Sequence, residues 1–120
     1  MPESVTYLSQ ENIIKVKSTG NLTKEEVRTS IYAVAKFCKE TGAKKVFVDQ
    51  LDALSFPSNA YGFNLGSDVA HLLQGVNIAI VHSWKVEDDI KFFEKVAQKR
   101  GVNMKVFSNV ESAKNWLKTF

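Results

Sequence analysis

A single α/β domain on a mixed, mostly parallel five-stranded sheet with about four helices is the fold that this 120-residue sequence predicts. Three observations point to it. Short apolar runs such as KKVFVD and VNIAIVHSW, rich in β-branched residues, read as buried strands. Segments with apolar residues at helical spacing alternate with them, which implies crossover connections and a parallel sheet. Two further strand-like runs stand together at the start, giving the order ββαβαβαβα over residues 1–120 with no linker, repeat or low-complexity tract.

Each element has its own signal. SVTYLS and NIIKVKS, separated by the turn formers Ser9, Gln10, Glu11 and Asn12, read as a hairpin that makes the sheet mixed. In TKEE, Thr23 can cap the free N–H groups of a helix while Glu26 reaches back, a capping box. Val27, Ile31, Val34, Ala35 and Cys38 then recur at helical spacing, and Gly42 supplies the stop. KKVFVD is a strand expected to leave the sheet at Asp49. A second helix is expected between Ser58 and Gly75, with Val69, Leu72 and Leu73 as its best stripe, although Gly62 and Gly66 weaken its first half.

VNIAIVHSW follows as another buried strand. VEDDIKFFEKVAQKRG is the clearest helix, with acidic residues in its first turn, Lys99 and Arg100 in its last and Gly101 as the stop. NMKVFS is the fifth strand. Ser108 with Glu111 is expected to form a capping box for a last helix, on which Val110, Ala113, Trp116, Leu117 and Phe120 share one side.

The charge is balanced, with 16 basic residues interleaved among 13 acidic ones for a formal net of +3. That balance does not call for nucleic acid, and none is expected as a partner. The start, MPESVTYLSQ, lacks the basic region and long apolar run of a secretion signal, and no segment approaches a membrane span, so a cytoplasmic location is expected. Cys38 is the one cysteine and is expected as a buried free thiol.

Catalytic chemistry finds little to stand on. Asp49 ends a buried strand as a phosphoacceptor would, but a receiver domain also needs an acidic pair after its first strand, and here serine, threonine and glycine stand there. Capping by Asp49 or Asp52 is the favoured reading. His71 and His82 are far apart and lack metal-ligand spacing. No G-x-S-x-G occurs, and Gly62 and Gly66 do not form a phosphate loop. No catalytic residue, metal or cofactor is therefore expected, and an enzyme using Asp49 with His82 stands only as a third reading.

The informative stretch is FPSNAYGFNLG, residues 56–66. Ligands of such folds sit beyond the carboxyl ends of the strands, where this stretch and the His82–Trp84 turn both fall. Ser58 or Asn59 could cap the second helix and present free N–H groups to an anion. Phe56, Tyr61, Phe63 and Leu65 either plug the core or form a contact surface for an apolar ligand, a bilayer or a protein.

At this point the order of elements, the strand leaving through Asp49 into a serine-bearing helix start, and the closing FFEKVAQKRGVNMKVFSNVESAKNWL resemble the SpoIIAA-like proteins of the STAS superfamily. In the anti-sigma-factor antagonists of that superfamily, a D-S-S-G segment opening the second helix carries a serine phosphorylated by a partner kinase. Laid over this sequence, the segment falls on Pro57, Ser58, Asn59 and Ala60, so Asn59 takes the usual phosphoacceptor position and Ser58 the preceding serine. The SpoIIAA-like branch also resembles the CRAL-TRIO lipid-transfer fold, which implies an apolar-ligand or membrane-associating role.

Two functional expectations follow. The leading one is a non-enzymatic domain that binds an apolar or amphipathic small ligand, at a membrane surface or free, through Phe56, Ser58, Asn59, Tyr61, Phe63, Leu65, His82 and Trp84. The alternative is a STAS-type protein-interaction and regulatory module, with Ser58 as candidate phosphoacceptor and a regulatory protein as partner. A homodimer would be a further way to cover an apolar patch.

Overall fold

The computed structural model describes residues 3–57 and 59–120, the side chains of residues 59–63 lying outside that description. The elements are β1 (Glu3–Leu8), β2 (Ile13–Asn21), α1 (Lys24–Thr41), β3 (Lys45–Ser55), α2 (Asn59–Leu72), β4 (Asn77–His82), α3 (Glu87–Lys99), β5 (Asn103–Phe107) and α4 (Val110–Leu117). A turn of 3-10 helix at Trp84–Val86 leads into α3. The strands form one five-stranded sheet in the order β1-β2-β3-β4-β5. Only the β1–β2 pair is antiparallel, so the sheet is the expected mixed, mostly parallel one.

Period-two alternation divides the core in two. Ile14, Val16, Val46, Ile78 and Ile80 face the helix layer, where Val27 and Ile31 of α1, Leu65 and Val69 of α2, and Ile90 and Phe93 of α3 close over them. On the other face Phe47, Ala79 and Val81 meet Ala113 and Leu117 of α4. β4 is thus buried on both sides, which is why its sequence is an unbroken apolar run.

Helix ends follow the local chemistry with one correction. Thr23 Oγ1 accepts from the Glu26 N–H at 3.2 Å and Glu26 Oε1 accepts from the Thr23 N–H at 3.1 Å, the expected capping box. Gly42, at φ 75°, donates its N–H to the Cys38 carbonyl at 2.9 Å and stops α1. α4 is capped by Asn109, whose side chain accepts from the Ser112 N–H at 2.9 Å, and not by Ser108 with Glu111. Asparagine caps as well as serine, so the helix starts one residue later than the box pattern suggests. Cys38 is a free thiol, half-buried rather than buried, and that burial raises its pKa.

β3 departs most from expectation. It does not leave the sheet at Asp49 but continues to Ser55, because β2 runs on beside it. Lys17 pairs with Asp49 while Thr19 pairs with Asp52, so β3 carries an extra residue there, a bulge. Gly20 then pairs with Ala53 and Asn21 with Ser55.

Inside the helix-side core is a cavity of about 60 Å³ lined by apolar side chains including Phe56 and Phe93, with Glu3, Ser30 and Gln50 among them. Glu3 Oε1 and Gln50 Oε1 are buried without a hydrogen-bond partner among the described residues. The other Glu3 oxygen accepts from the Ser18 hydroxyl. Burial raises the Glu3 pKa above the ordinary glutamate value, outweighing the hydrogen bonds from Ser18 and Ser30 that lower it.

Two expectations for stability follow from this packing. A Cβ on Gly66 would lie 2.6 Å from Val96 Cγ1 and 2.9 Å from Val96 Cβ, so α2 and α3 meet there without room for a methyl group. Alanine is ordinarily better than glycine in a helix by ~1 kcal/mol. Overpacking costs ~1–3 kcal/mol, and the Val96 Cβ cannot rotate aside, so Gly66→Ala should lower stability in a denaturant melt. Val96→Ala in the same chain should recover part of the loss, whereas a Gly66→Ala protein more stable than the parent would refute the contact.

The second concerns pH. With its folded pKa raised, Glu3 contributes stability that is present below the unfolded pKa and lost as pH rises through the folded one. Glu3→Gln keeps the group uncharged. The variant should therefore melt at higher temperature than the parent near neutral pH, with the gap closing towards about pH 4. An identical melting temperature at neutral pH would show that the carboxylate is ionised there without cost.

Candidate functional site

The carboxyl ends of β2, β3 and β4 lie at Asn21, Ser55 and His82. The first two are tied together: the Leu22 N–H donates to the Ser55 carbonyl at 3.1 Å, and Ser55 Oγ donates to Asn21 Oδ1 at 3.0 Å. The chain then turns inward. Phe56 is 5% exposed with its ring centroid 5.4 Å from that of Phe93, and Leu65 is fully buried. Both are core residues, and the cavity that Phe56 lines has room for a few water molecules at ~10–15 Å³ each. That is far below the ~300–1,000 Å³ of small-ligand clefts, so it does not fit the apolar or amphipathic ligand expected from the sequence.

Ser58 lies outside the described residues. Asn59, Tyr61 and Phe63 fall in the opening turns of α2, their side chains likewise outside the description. His82 is buried, with Nδ1 3.1 Å from the Ser83 carbonyl oxygen. It pairs with Gln50 in the register, whereas Asp49 pairs with Val81. Asp49 and His82 therefore sit on opposite faces of the sheet and share no site.

Asp49 is occupied structurally. Its Oδ1 accepts from the Leu51 N–H at 3.1 Å, a local cap, and its Oδ2 accepts from Lys17 Nζ at 3.1 Å. The bulge brings Asp52 round to the same ammonium at 2.9 Å, although residues three apart in a regular strand point to opposite faces. Asp52 first, then Asp49, raises the Lys17 pKa.

The same extension carries Leu51 and Leu54 out of the core, at 39% and 51% exposure. Beside them runs the turn after β4, where Ser83 Oγ stands 3.5 Å from the Ala53 carbonyl oxygen. That turn holds Trp84, 80% exposed, with Lys85 Nζ 5.9 Å from its ring centroid. Of the candidate binding residues whose side chains are described, Trp84 is thus the one that presents a large apolar surface. Leu51 and Leu54 lie in KKVFVDQLDAL, a strand-like run in the sequence, but nothing in that run says that both leucines face outward; the signal was the pair of leucines beside the two aspartates.

Among the described residues no cluster of three or more histidine, cysteine or acidic side chains could hold a metal, and no helix is long and apolar enough to cross a membrane. No protein-family model matches the chain, and no curated protein matches it in sequence. Solved structures do match. The anti-sigma factor antagonist SpoIIAA in its unphosphorylated form is similar with a TM-score of 0.64 and 11% identity, over 98% of this chain and 97% of that one. At that identity the likeness is one of fold, and it agrees with the architecture that the sequence resemblance implies: this chain has the SpoIIAA/STAS fold.

Proposed function

We propose that this chain is a non-enzymatic regulatory module that works by binding another protein, docked on the face formed by Leu51, Leu54 and Trp84 beside the start of α2. The observation that carries this reading is Trp84, 80% exposed on a short turn anchored by buried Val86. Protein interfaces concentrate their energy in such residues, and apolar side chains gathered at one corner mark interaction surfaces. The fold supports the same reading, since the similar structure is that of a protein described as an antagonist of an anti-sigma factor.

That protein is described in an unphosphorylated form, which names phosphorylation as its second state. Ser58 immediately precedes α2 in this chain. A phosphate there would add roughly −1.5 to −2 charge at the residue preceding the helix N-terminus. Phosphorylation of Ser58 is thus the switch that belongs to this reading.

The test is capture of partners from the source cells with the tagged chain, identification by mass spectrometry, and direct binding of the purified pair. Trp84→Ala should weaken binding by about 30-fold, the effect of losing an interface anchor, and leave the melting temperature unchanged because the ring is solvent-exposed. Equal binding by parent and variant would overturn the docking face.

A further inference from the structure

On the face of the sheet away from α1, α2 and α3, α4 lies over β4 and the adjoining parts of β3 and β5. Between α4 and the uncovered strands β1, β2 and the start of β3 is a hollow of about 360 Å³. Its floor and wall are apolar: Leu8 paired with Ile13, Phe47 paired with Lys15, and Leu117 from α4. Its rim is cationic, with Lys15, Lys45, Lys114 and Lys118 set against the single carboxylate of Glu11.

None of the four lysines forms an ion pair among the described residues, and Lys114 Nζ lies instead 5.6 Å from the Phe47 ring centroid. The dipole of α4 accounts for cations near its C-terminus, which covers Lys114 and Lys118. Lys15 and Lys45 stand on strands and have no such reason to be there. Further along β2, Lys17 is held by Asp49 and Asp52, so on that strand the lysine left without a carboxylate is Lys15, at the hollow.

Like charges gathered around a concave, partly apolar surface raise the local potential and favour an anionic occupant. Four spread cations exceed what one head group would use, and the apolar floor between them suits a side chain rather than a bare phosphate. We propose that the hollow is a second docking site, for an acidic segment of a partner protein that seats an apolar side chain against Ile13 and Phe47 and sets its carboxylates among the lysines. It lies at the amino-terminal end of the parallel strands, opposite the Trp84 corner, and does not depend on that corner.

The experiment is NMR titration of the ¹⁵N-labelled chain with a synthetic peptide whose glutamates flank a Leu-Phe pair. A charge-reversed peptide carrying lysines, sodium laurate and a single-stranded oligonucleotide are titrated in parallel. The acidic peptide should move the amide signals of Lys15, Lys45, Phe47 and Leu117, and bind more weakly as salt rises. Lys15→Glu with Lys118→Glu should weaken it by at least about tenfold, while Trp84→Ala leaves it unchanged. The same spectra report whether the variant is folded. Absent shifts, shifts elsewhere, or binding indifferent to the lysine pair would overturn the proposal. Occupation of the hollow by laurate or oligonucleotide but not by the peptide would overturn it in favour of an amphiphile or a nucleic acid.

Discussion

The parallel pairing of β2 with β3, carried past a bulge to Asn21 and Ser55, is the constraint on which the carboxyl end of the sheet, and the docking corner proposed there, rests. Had β3 left the sheet at Asp49, Leu51 and Leu54 would belong to a loop free to bury them. Held against β2, the segment turns both leucines outward and keeps Ala53 in the core. It also fixes where the chain turns at Ser55, and so where Phe56 enters the core against Phe93 under α2. Lys17 joined to Asp49 and Asp52 holds the bulge closed on the open face.

A second consequence comes from the unequal covering of the sheet. Three crossover helices fill one face, and their packing is tight enough that Gly66 meets Val96 with no space for a side chain. One short terminal helix serves the other face, leaving the cationic hollow beside it. The two ends of the sheet thus differ in chemistry. The carboxyl end shows exposed leucine and tryptophan, and the amino end shows lysines over an apolar floor. The cavity among the apolar side chains of the helix-side core measures only about 60 Å³, and the larger hollow of about 360 Å³ lies on the opposite face beside α4.

Much of the fold was legible in the sequence because each element carried its own signal. The apolar run of β4 announces burial on both faces, and Thr23 with Glu26 announces the start of α1. KKVFVDQLDAL is strand-like over its whole length, but the facing of its second half was hidden, because a bulge breaks the period of two by which side-chain direction is read. The relation of Asp49 to His82 was equally hidden, since which residues share a face depends on a pairing register that neither strand encodes alone. In FPSNAYGFNLG the aromatic composition pointed to this corner, but composition does not say which way a ring turns. Phe56 and Leu65 turn inward, and among the described residues at this end of the sheet the exposed apolar side chains are Leu51, Leu54 and Trp84.

The most direct measurement is amide hydrogen exchange on the chain alone and with a protein captured through the proposed docking corner. Slow exchange is expected at Leu22 and along residues 50–55 in the free protein, and new protection on binding at residues 51–55 and 83–86 with the outer face of α1 around Tyr32 unchanged. Rapid exchange along residues 50–55 in the free protein, or new protection confined to α1, would contradict it.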